Sequence, residues 1–600
     1  MEEQMHALRH SAAHVLAAAI QKIYPEARFG VGPVIEHGFY YDIALDTTLS
    51  DKELAKIEKT MHAIIQADLP FEHETWEIER AIHYFSENNQ PYKVELLKDL
   101  QQHGTTKLKD FDTEDIGADS SVEKISTISV YKTGDFIDLC KGPHVASTGK
   151  IGVIKLHKIA GAYWRGDEKR DQLQRIYGLA FQTQDQLDMH LHNLALALER
   201  DHRKLGRELD LFTFSDLVGP GLPMFTPRGT ILREKLTEFS ESLQRSYGYE
   251  KVWIPHITRT ELYKVSGHFD KYPERFEVTS SESDDQFMIK PMNCPHHAQI
   301  FASKPRSYRD LPLRYMETTT TYRDEKSGEL HGLSRVRSIT MDDAHAFCTE
   351  DQIESLMADI MTMIKQLYDG LQMDFYARLS FRDDSDKYLG DAQLWDKAQK
   401  ILEKVVKDLE LEYVVGVGEA AFYGPKIDIM VRDGLGREWQ CATEQLDFVQ
   451  PERLGLHYVD SDGSDKCPVM IHKALLGSIE RFLAVYIEHT AGVFPVWLAP
   501  EQVRVIPVSD KFLNYAHQVT DALSKAGVRV ELDDSNESLG KRIRNAEVLK
   551  IPYSVIVGER ESANQTIAVR QFGEGDKGSQ ELDDFIQSIT KKIASRQSEI

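Results

Sequence analysis

The chain has 600 residues, 41% of them hydrophobic, with a formal net charge of −24 and five cysteines. Its length implies three or four packed domains at about 150 residues each, and its charge repels phosphate, so any RNA contact needs cations gathered locally. The odd, thinly spread cysteines exclude a disulfide framework, and no apolar run nears the roughly 18 residues of a bilayer span; with an acidic start, this predicts a cytoplasmic protein without a membrane partner.

From Glu2 to Tyr24, Leu8, Ala12, Val15, Ala19 and Ile23 fall on one stripe and Pro25 follows, so a helix is predicted. His10 and His14 lie one turn apart on it and can converge on one ligand. Strand-like, turn-rich text follows (RFGVGPVIEHGFYYDI), then a second helix from Lys52 to Ala67. Further on, DLCKGPHV puts Cys140 and His144 in one short loop. A helical His pair with Cys-x-x-x-His is a zinc-like constellation, looser than a zinc finger; by spacing alone it is equally the polar lining of a groove. Asp185 to Leu205, with Leu187, Leu191, Leu194 and Leu198 on one face, reads as a linker helix.

The Gly- and Pro-dense SDLVGPGLPMFTPRG marks a new domain, followed by a helix from Thr230 to Tyr247 and a strand, YEKVWIPHI. MIKPMNCPHH puts Cys294 after an apparent strand, where a cysteine before proline is commonly a buried small residue. From Met316 to Cys348 a Thr-rich strand sets Arg323 and Glu325 on one face, Lys326-Ser327-Gly328 turns the chain, and Arg335 and Arg337 lead into a return strand. On that strand, Ser338 to Cys348, the residues Met341, Asp343 and His345 share a face. The hairpin offers guanidinium groups for phosphates, a carboxylate for an amine and an imidazole for a metal, although an Arg-rich hairpin by itself is commonly a solvated surface. AAFYGPKIDIMV, the DGLG turn and EWQCATEQLDF alternate as antiparallel strands, and neither a P-loop nor GxGxxG occurs.

A helix is predicted from about His472 to His489, carrying Glu480 and Arg481, with Leu475, Ile479, Phe482, Leu483 and Tyr486 inward. After Pro500 the pattern runs VRVIPV, helix Lys511 to Ala526, VRVEL, helix Lys541 to Lys550, YSVIVG, IAVRQF and a final helix from Glu581: a small α/β domain with a mixed sheet. Lys541, Arg542, Arg544 and Lys550 form a basic helix that composition alone makes a solvated face.

YRDE, the polar loop and RVR resemble motif 2 of the class II aminoacyl-tRNA synthetases, and HGLSRVRSITMDDAHAFC is similar to its version in threonyl-tRNA synthetases. The Thr230 helix with its strand resembles motif 1, the dimer-interface element, and the segment with Arg481 resembles motif 3. HSAAH followed by Cys-x-x-x-His resembles the editing domain of the same family. The resemblance covers nearly the whole chain and implies a multidomain α+β homodimer. An α+β editing domain is expected over 1–183, a helical linker over 184–205, a class II antiparallel catalytic core over 206–498 and an α/β anticodon-binding domain over 499–600. The ubiquitin-like module of many relatives is expected to be absent. The implied activity is activation of L-threonine with ATP and Mg2+, transfer to tRNA(Thr), and hydrolysis of seryl-tRNA(Thr).

The same resemblance implies roles. Cys294, His345 and His472 would hold one zinc ion per subunit. Arg323 would bridge the threonine carboxylate and the α-phosphate, Glu325 face the adenine amino group, Arg335 the γ-phosphate and Arg481 the ATP from the other side, with Gln440 also at ATP. Asp343 would take the amine or hydroxyl, Tyr423, Lys426 and Gln445 would line the pocket, and His268 would assist transfer to the ribose. His10, His14, Cys140 and His144 would surround the mischarged ester, and Asn536, Lys541, Arg544 and Arg570 would meet the anticodon. A three-ligand zinc keeps an open position for a β-hydroxy amino acid and rejects valine by roughly 10⁴, whereas serine differs by one methyl worth about 1–3 kcal/mol, so a second, hydrolytic site is expected.

Two positions depart from the family: Met341 stands where Gln is usual and cannot make its amide hydrogen bonds, and His296 stands where Gly is usual and is expected to point away from the metal. A catalytically silent RNA-binding relative would have lost Arg323, Arg481 or a metal ligand, and none is lost.

Overall fold

The computed structural model describes residues 2–103, 126–385 and 387–596. They form two compact units, Met1–Ala195 and Leu196–Ile600. In the first, the helix Glu2–Ile23 buries Leu8, Ala12, Val15, Leu16 and Ala19, and Tyr24-Pro25 end it. It packs with the helix Asp51–Gln66 on a sheet ordered Arg28–Phe29, Gly38–Ala44, Gln172–Phe181, Val153–Tyr163. A second sheet joins Glu72–Glu77, Thr127–Thr133 and Phe136–Leu139, covered by the helices Ile78–Glu87 and Pro91–His103.

The predicted linker helix is two helices, Gln184–Glu199 and His202–Glu208. Asp201 accepts the N–H of Arg203 and so starts a new helix where the pattern ran on. Of the predicted apolar stripe, Leu187 is buried, while Leu194 is 39% and Leu198 74% exposed.

The second unit is built on an eight-stranded sheet. Its order is Glu250–Lys251, Leu313–Tyr322, Ser338–Cys348, Val469–Ser478, Glu438–Asp447, Lys426–Arg432, Asp374–Phe381, Tyr413–Val417, antiparallel except for the outermost pair at each edge. The helices Pro227–Ser246, Ile353–Leu371, Ala392–Asp408 and Ile479–His489 close a core with it. Strand alternation divides the faces: Ala344, Ala346 and Cys348 enter this core, while Tyr315, Phe347 and Met470 cluster with Cys294 elsewhere.

The helix predicted from His472 is a correction. His472 lies on the strand Val469–Ser478, and the helix starts only at Ile479. VMIHKALLG is buried along its whole length at the centre of the sheet, and a short continuous apolar run does not distinguish strand from helix. Gly477 makes the break: its φ is +70°, and a Cβ there would lie 2.2 Å from the Cys441 carbonyl oxygen. Arg323 and Glu325 likewise sit just beyond the strand Leu313–Tyr322 rather than on it.

The C-terminal sheet is ordered Val530–Leu532, Val503–Pro507, Tyr553–Val557, Thr566–Gln571, Gly575–Glu581, with its first three strands parallel and the last two antiparallel. The polar last strand and the short helix Glu559–Asn564 carry no hydrophobic period and were invisible to patterning.

Candidate functional site

His345 and His472 are cross-strand partners in the central antiparallel pair, with ring centroids 4.8 Å apart. Cys294 opens the helix Cys294–Ala302 and completes a set whose ligand atoms all lie within 4.8 Å of one another. All three side chains are buried. His472 Nε2 is 2.8 Å from Asp447 Oδ2, and His345 Nδ1 is 2.8 Å from His297 Nδ1. Each imidazole is thus oriented through one nitrogen, leaving the other for a ligand. Burial, then His297, holds the His345 imidazole well below its ordinary pKa, and burial, then Asp343 and Asp447, pushes the Cys294 thiol up. One thiol and two imidazoles in a tight cluster are a donor set that fits a zinc ion with an open position.

His296 is not part of this set and has neither ring nitrogen bonded among the described residues; burial, then Lys290 and His297, lowers it to about 4. His268 sits against the cluster: its Nδ1 is 2.8 Å from Ser266 Oγ and its Nε2 is 3.5 Å from Cys294 Sγ. Burial, then His472 and Arg323, lowers it to about 3.

The other candidates surround the cluster. Asp343 accepts from Asn293 at 3.0 Å, and burial raises its pKa. The Tyr423 ring stacks on His472 at 5.0 Å and its hydroxyl donates to Gln445. Gln440 and Lys426 are tied into a network on Asp428, at 2.6 and 2.7 Å, that also takes Arg378. Arg323 pairs with no carboxylate among the described residues; it faces the Tyr272 ring at 5.3 Å and its Nε is buried without a partner. A half-buried, unneutralised guanidinium is costly unless an anion completes it. Arg335 is held by Glu325 at 2.8 Å and also by Glu329, so an incoming phosphate would exchange with carboxylates. Arg481 is exposed in the first turn of the helix Ile479–His489. Thr319 and Ser478 both pair with Met341, which sets Arg323 and Arg481 at one end of the sheet.

That end is braced from below. The bulge between Met341 and Asp343 frees the N–H groups of Leu475, Leu476 and Gly477, and all three donate to the Asp342 carboxylate at 3.0–3.2 Å. Ser240 donates to it as well, and burial pushes Asp342 up to about 6. Asp342→Ala leaves these donors without an acceptor and is expected to destabilise the fold by about 3 kcal/mol or more, read as a fall in urea midpoint. An unchanged midpoint would contradict the bracing role.

In the first unit His10, His14, Cys140 and His144 also converge, within 4.8 Å. Cys140 Sγ lies 3.2 Å from His10 Nε2 and 3.1 Å from His144 Nε2, and Ser11 Oγ is 3.0 Å from His144 Nδ1. Phe71 stacks on His144 at 4.9 Å. Burial first, then neighbouring imidazoles, holds His14 and His144 well below their ordinary pKa. Beside them lies a buried triad absent from the sequence reading: Lys93 pairs with Asp138 and donates to the Tyr41 hydroxyl at 3.0 Å, while Tyr41 donates to Asp138. Lys93 and Asp138 are each 2% exposed. Asp138 precedes Cys140 by two residues, yet nothing in spacing links it to Lys93 across the intervening chain.

In the C-terminal domain Asn536, Lys541 and Arg544 are exposed on the helix Leu539–Val548 and the turn before it, and Arg570 approaches that helix through Glu547 at 3.8 Å. Arg542 from the same basic run is structural: it is buried and donates to the Asp533 and Pro507 carbonyls at 3.0 and 2.8 Å.

Residues 252–490 match the tRNA synthetase class II core domain (G, H, P, S and T), 502–592 an anticodon binding domain, and 128–177 the threonyl and alanyl tRNA synthetase second additional domain. The threonine–tRNA ligase of Gloeobacter violaceus is 48% identical over 606 aligned positions, covering 99% of this chain and 93% of that protein. The chain belongs to the threonyl-tRNA synthetase family. A second threonine–tRNA ligase, from Rubrobacter xylanophilus, is 45% identical and covers 99% of the chain and 90% of its own length. Among solved structures, the RNA binding domain of threonyl-tRNA synthetase from Cryptosporidium parvum is 35% identical, with a TM-score of 0.63 over 67% of this chain and 99% of its own. Among the described residues, one group of metal-capable side chains falls in the first compact unit and two in the second.

Proposed function

We propose that this chain is a zinc-dependent, homodimeric threonine–tRNA ligase with a hydrolytic proofreading centre. The observation that carries the reading is the convergence of Cys294, His345 and His472 from a helix start and two adjacent strands, beside the unpaired Arg323. A zinc ion held by these residues would supply Lewis acidity toward an amino acid that carries both an amine and a β-hydroxyl. Asp343, steadied by Asn293, accepts a hydrogen bond from the amine or the hydroxyl of the amino acid. Arg323 neutralises the carboxylate and the α-phosphate as the carboxylate attacks and pyrophosphate leaves; Arg335 and Arg481 hold the triphosphate, and Glu325 and Gln440 contact the nucleotide, which carries Mg2+. Tyr423, Lys426 and Gln445 shape the pocket. With His268 wedged against Cys294, a role in transfer to the ribose requires it to act from within the site.

The threonyl adenylate is delivered to the tRNA, whose anticodon meets Asn536, Lys541, Arg544 and Arg570. Trp253 at 76% and Ile257 at 52% exposure, on the segment resembling motif 1, are the apolar surface a second subunit would cover. In the first unit His10, His14, Cys140 and His144 surround the seryl ester, with Cys140 hydrogen-bonded to His10 and His144; one imidazole accepts the proton of the attacking water and returns it to the ribose oxygen that leaves. Changing His10 and His14 to Ala is expected to slow deacylation of seryl-tRNA(Thr) by roughly 10²-fold or more while pyrophosphate exchange stays within about twofold. Unchanged deacylation would refute the proofreading assignment. Charging of tRNA(Thr) with threonine by the unaltered protein tests the reading as a whole, and its absence would overturn it.

A further inference from the structure

We propose that His202, on the linker helix, is a positioning residue for nucleotide binding: it locks the loop carrying Arg335 to the helix carrying Arg481. The proposal rests on the reading of those two arginines as triphosphate contacts. His202 is 1% exposed, and its Nε2 accepts the backbone N–H of Leu333 at 3.0 Å. That acceptor role fixes the tautomer, so Nδ1–H donates to Glu488 Oε1 at 2.6 Å. The backbone N–H of His202 donates to the same oxygen at 3.0 Å, and Arg437 pairs with the other carboxylate oxygen.

Three consequences follow from this geometry. Glu488 lies in the last turn of the helix Ile479–His489, whose first turn presents Arg481, so one rigid rod references both ends of the nucleotide site. Leu333 lies in the tight turn His331–Arg335, closed by reciprocal backbone bonds of 3.1 and 3.2 Å, so holding its N–H fixes Arg335 two residues on. The turn is shaped to the ring: Gly332 has φ +49°, and a Cβ on it would lie 2.2 Å from His202 Nε2. Asp201, His202 and Glu488 are close enough to hold a metal, but their donors are already committed, Asp201 to Arg203, Glu488 to Arg437 and both imidazole nitrogens as above. A loop-holding role uses both imidazole contacts and the Glu488 carboxylate.

Two substitutions separate the halves of the clamp. Asn mimics Nδ1 and can still bond Glu488 but not Leu333; Gln reaches the Nε2 position and can still accept from Leu333. His202→Asn is expected to raise KM for ATP in threonine-dependent pyrophosphate exchange roughly tenfold, with KM for threonine within about twofold, whereas His202→Gln stays near the parent. An unchanged ATP KM in H202N, or equal losses in both variants, overturns the proposal while the parental exchange leaves the functional reading standing. A parent without threonine-dependent exchange overturns that reading and this proposal together. Should H202N fail to fold, amide exchange in the unaltered protein decides: Leu333 is expected to be protected, and exchange as fast as in the exposed Lys326-Ser327 turn overturns the clamp.

Discussion

Arg323→Ala is expected to lower kcat/KM for threonine-dependent pyrophosphate exchange by roughly 10²–10³-fold without lowering thermal stability. The two halves of this expectation have one cause. Among the described residues the guanidinium meets the Tyr272 ring and the Met292 sulfur and keeps a buried, unbonded Nε, so the fold gains little from it. Its full value comes when a carboxylate and a phosphate arrive, because two anions brought together for attack need a cation between them. Arg323→Lys is not expected to restore the rate, since an ammonium lacks the planar fork that spans two oxygens. A loss below threefold, or a large drop in melting temperature, would mark Arg323 as structural.

Cys294→Ser is expected to abolish exchange to below roughly 10⁻³ of the parent and to co-purify without zinc. The hydroxyl of serine is a poor ligand where a thiolate is needed, and the two imidazoles alone make an incomplete set. The fold should survive, because Cys294 occupies the start of a helix packed by Ala298, Phe301 and Phe347, and serine is of similar size there. The paired measurement matters: exchange retained in a zinc-free C294S protein would remove the metal from the reaction, and zinc retained with exchange lost would make the thiol a substrate contact instead.

Much of this site was legible because its chemistry sits in local strings. The hairpin Leu313–Cys348 declares its alternation and its arginines in order, and the register that joins His345 to His472 follows once both are strands. The strand identity of His472 was hidden, since a fully buried run has no polar face to reveal its period, and the turning device is one glycine whose φ cannot be read from letters. Asp342 looked like one more charge on the hairpin; its role as acceptor for three N–H groups of a bulge exists only after the sheet closes. Lys93 and Asp138 are the same lesson in the first unit: each is an ordinary surface letter in sequence, and only long-range packing makes them a buried ion pair beside Cys140. Arg542 shows the reverse, a cation that composition assigned to a solvated face and that the fold spends on two carbonyls.

The account stands most directly on amino-acid selection by the Cys294, His345 and His472 centre. Metal content by elemental analysis, with pyrophosphate exchange for threonine, serine and valine on the same unaltered protein, tests it. The expected result is about one zinc per chain, exchange with threonine, measurable exchange with serine, and valine rejected by roughly 10⁴. Exchange with valine comparable to serine, or full threonine exchange in protein stripped of metal, would contradict it.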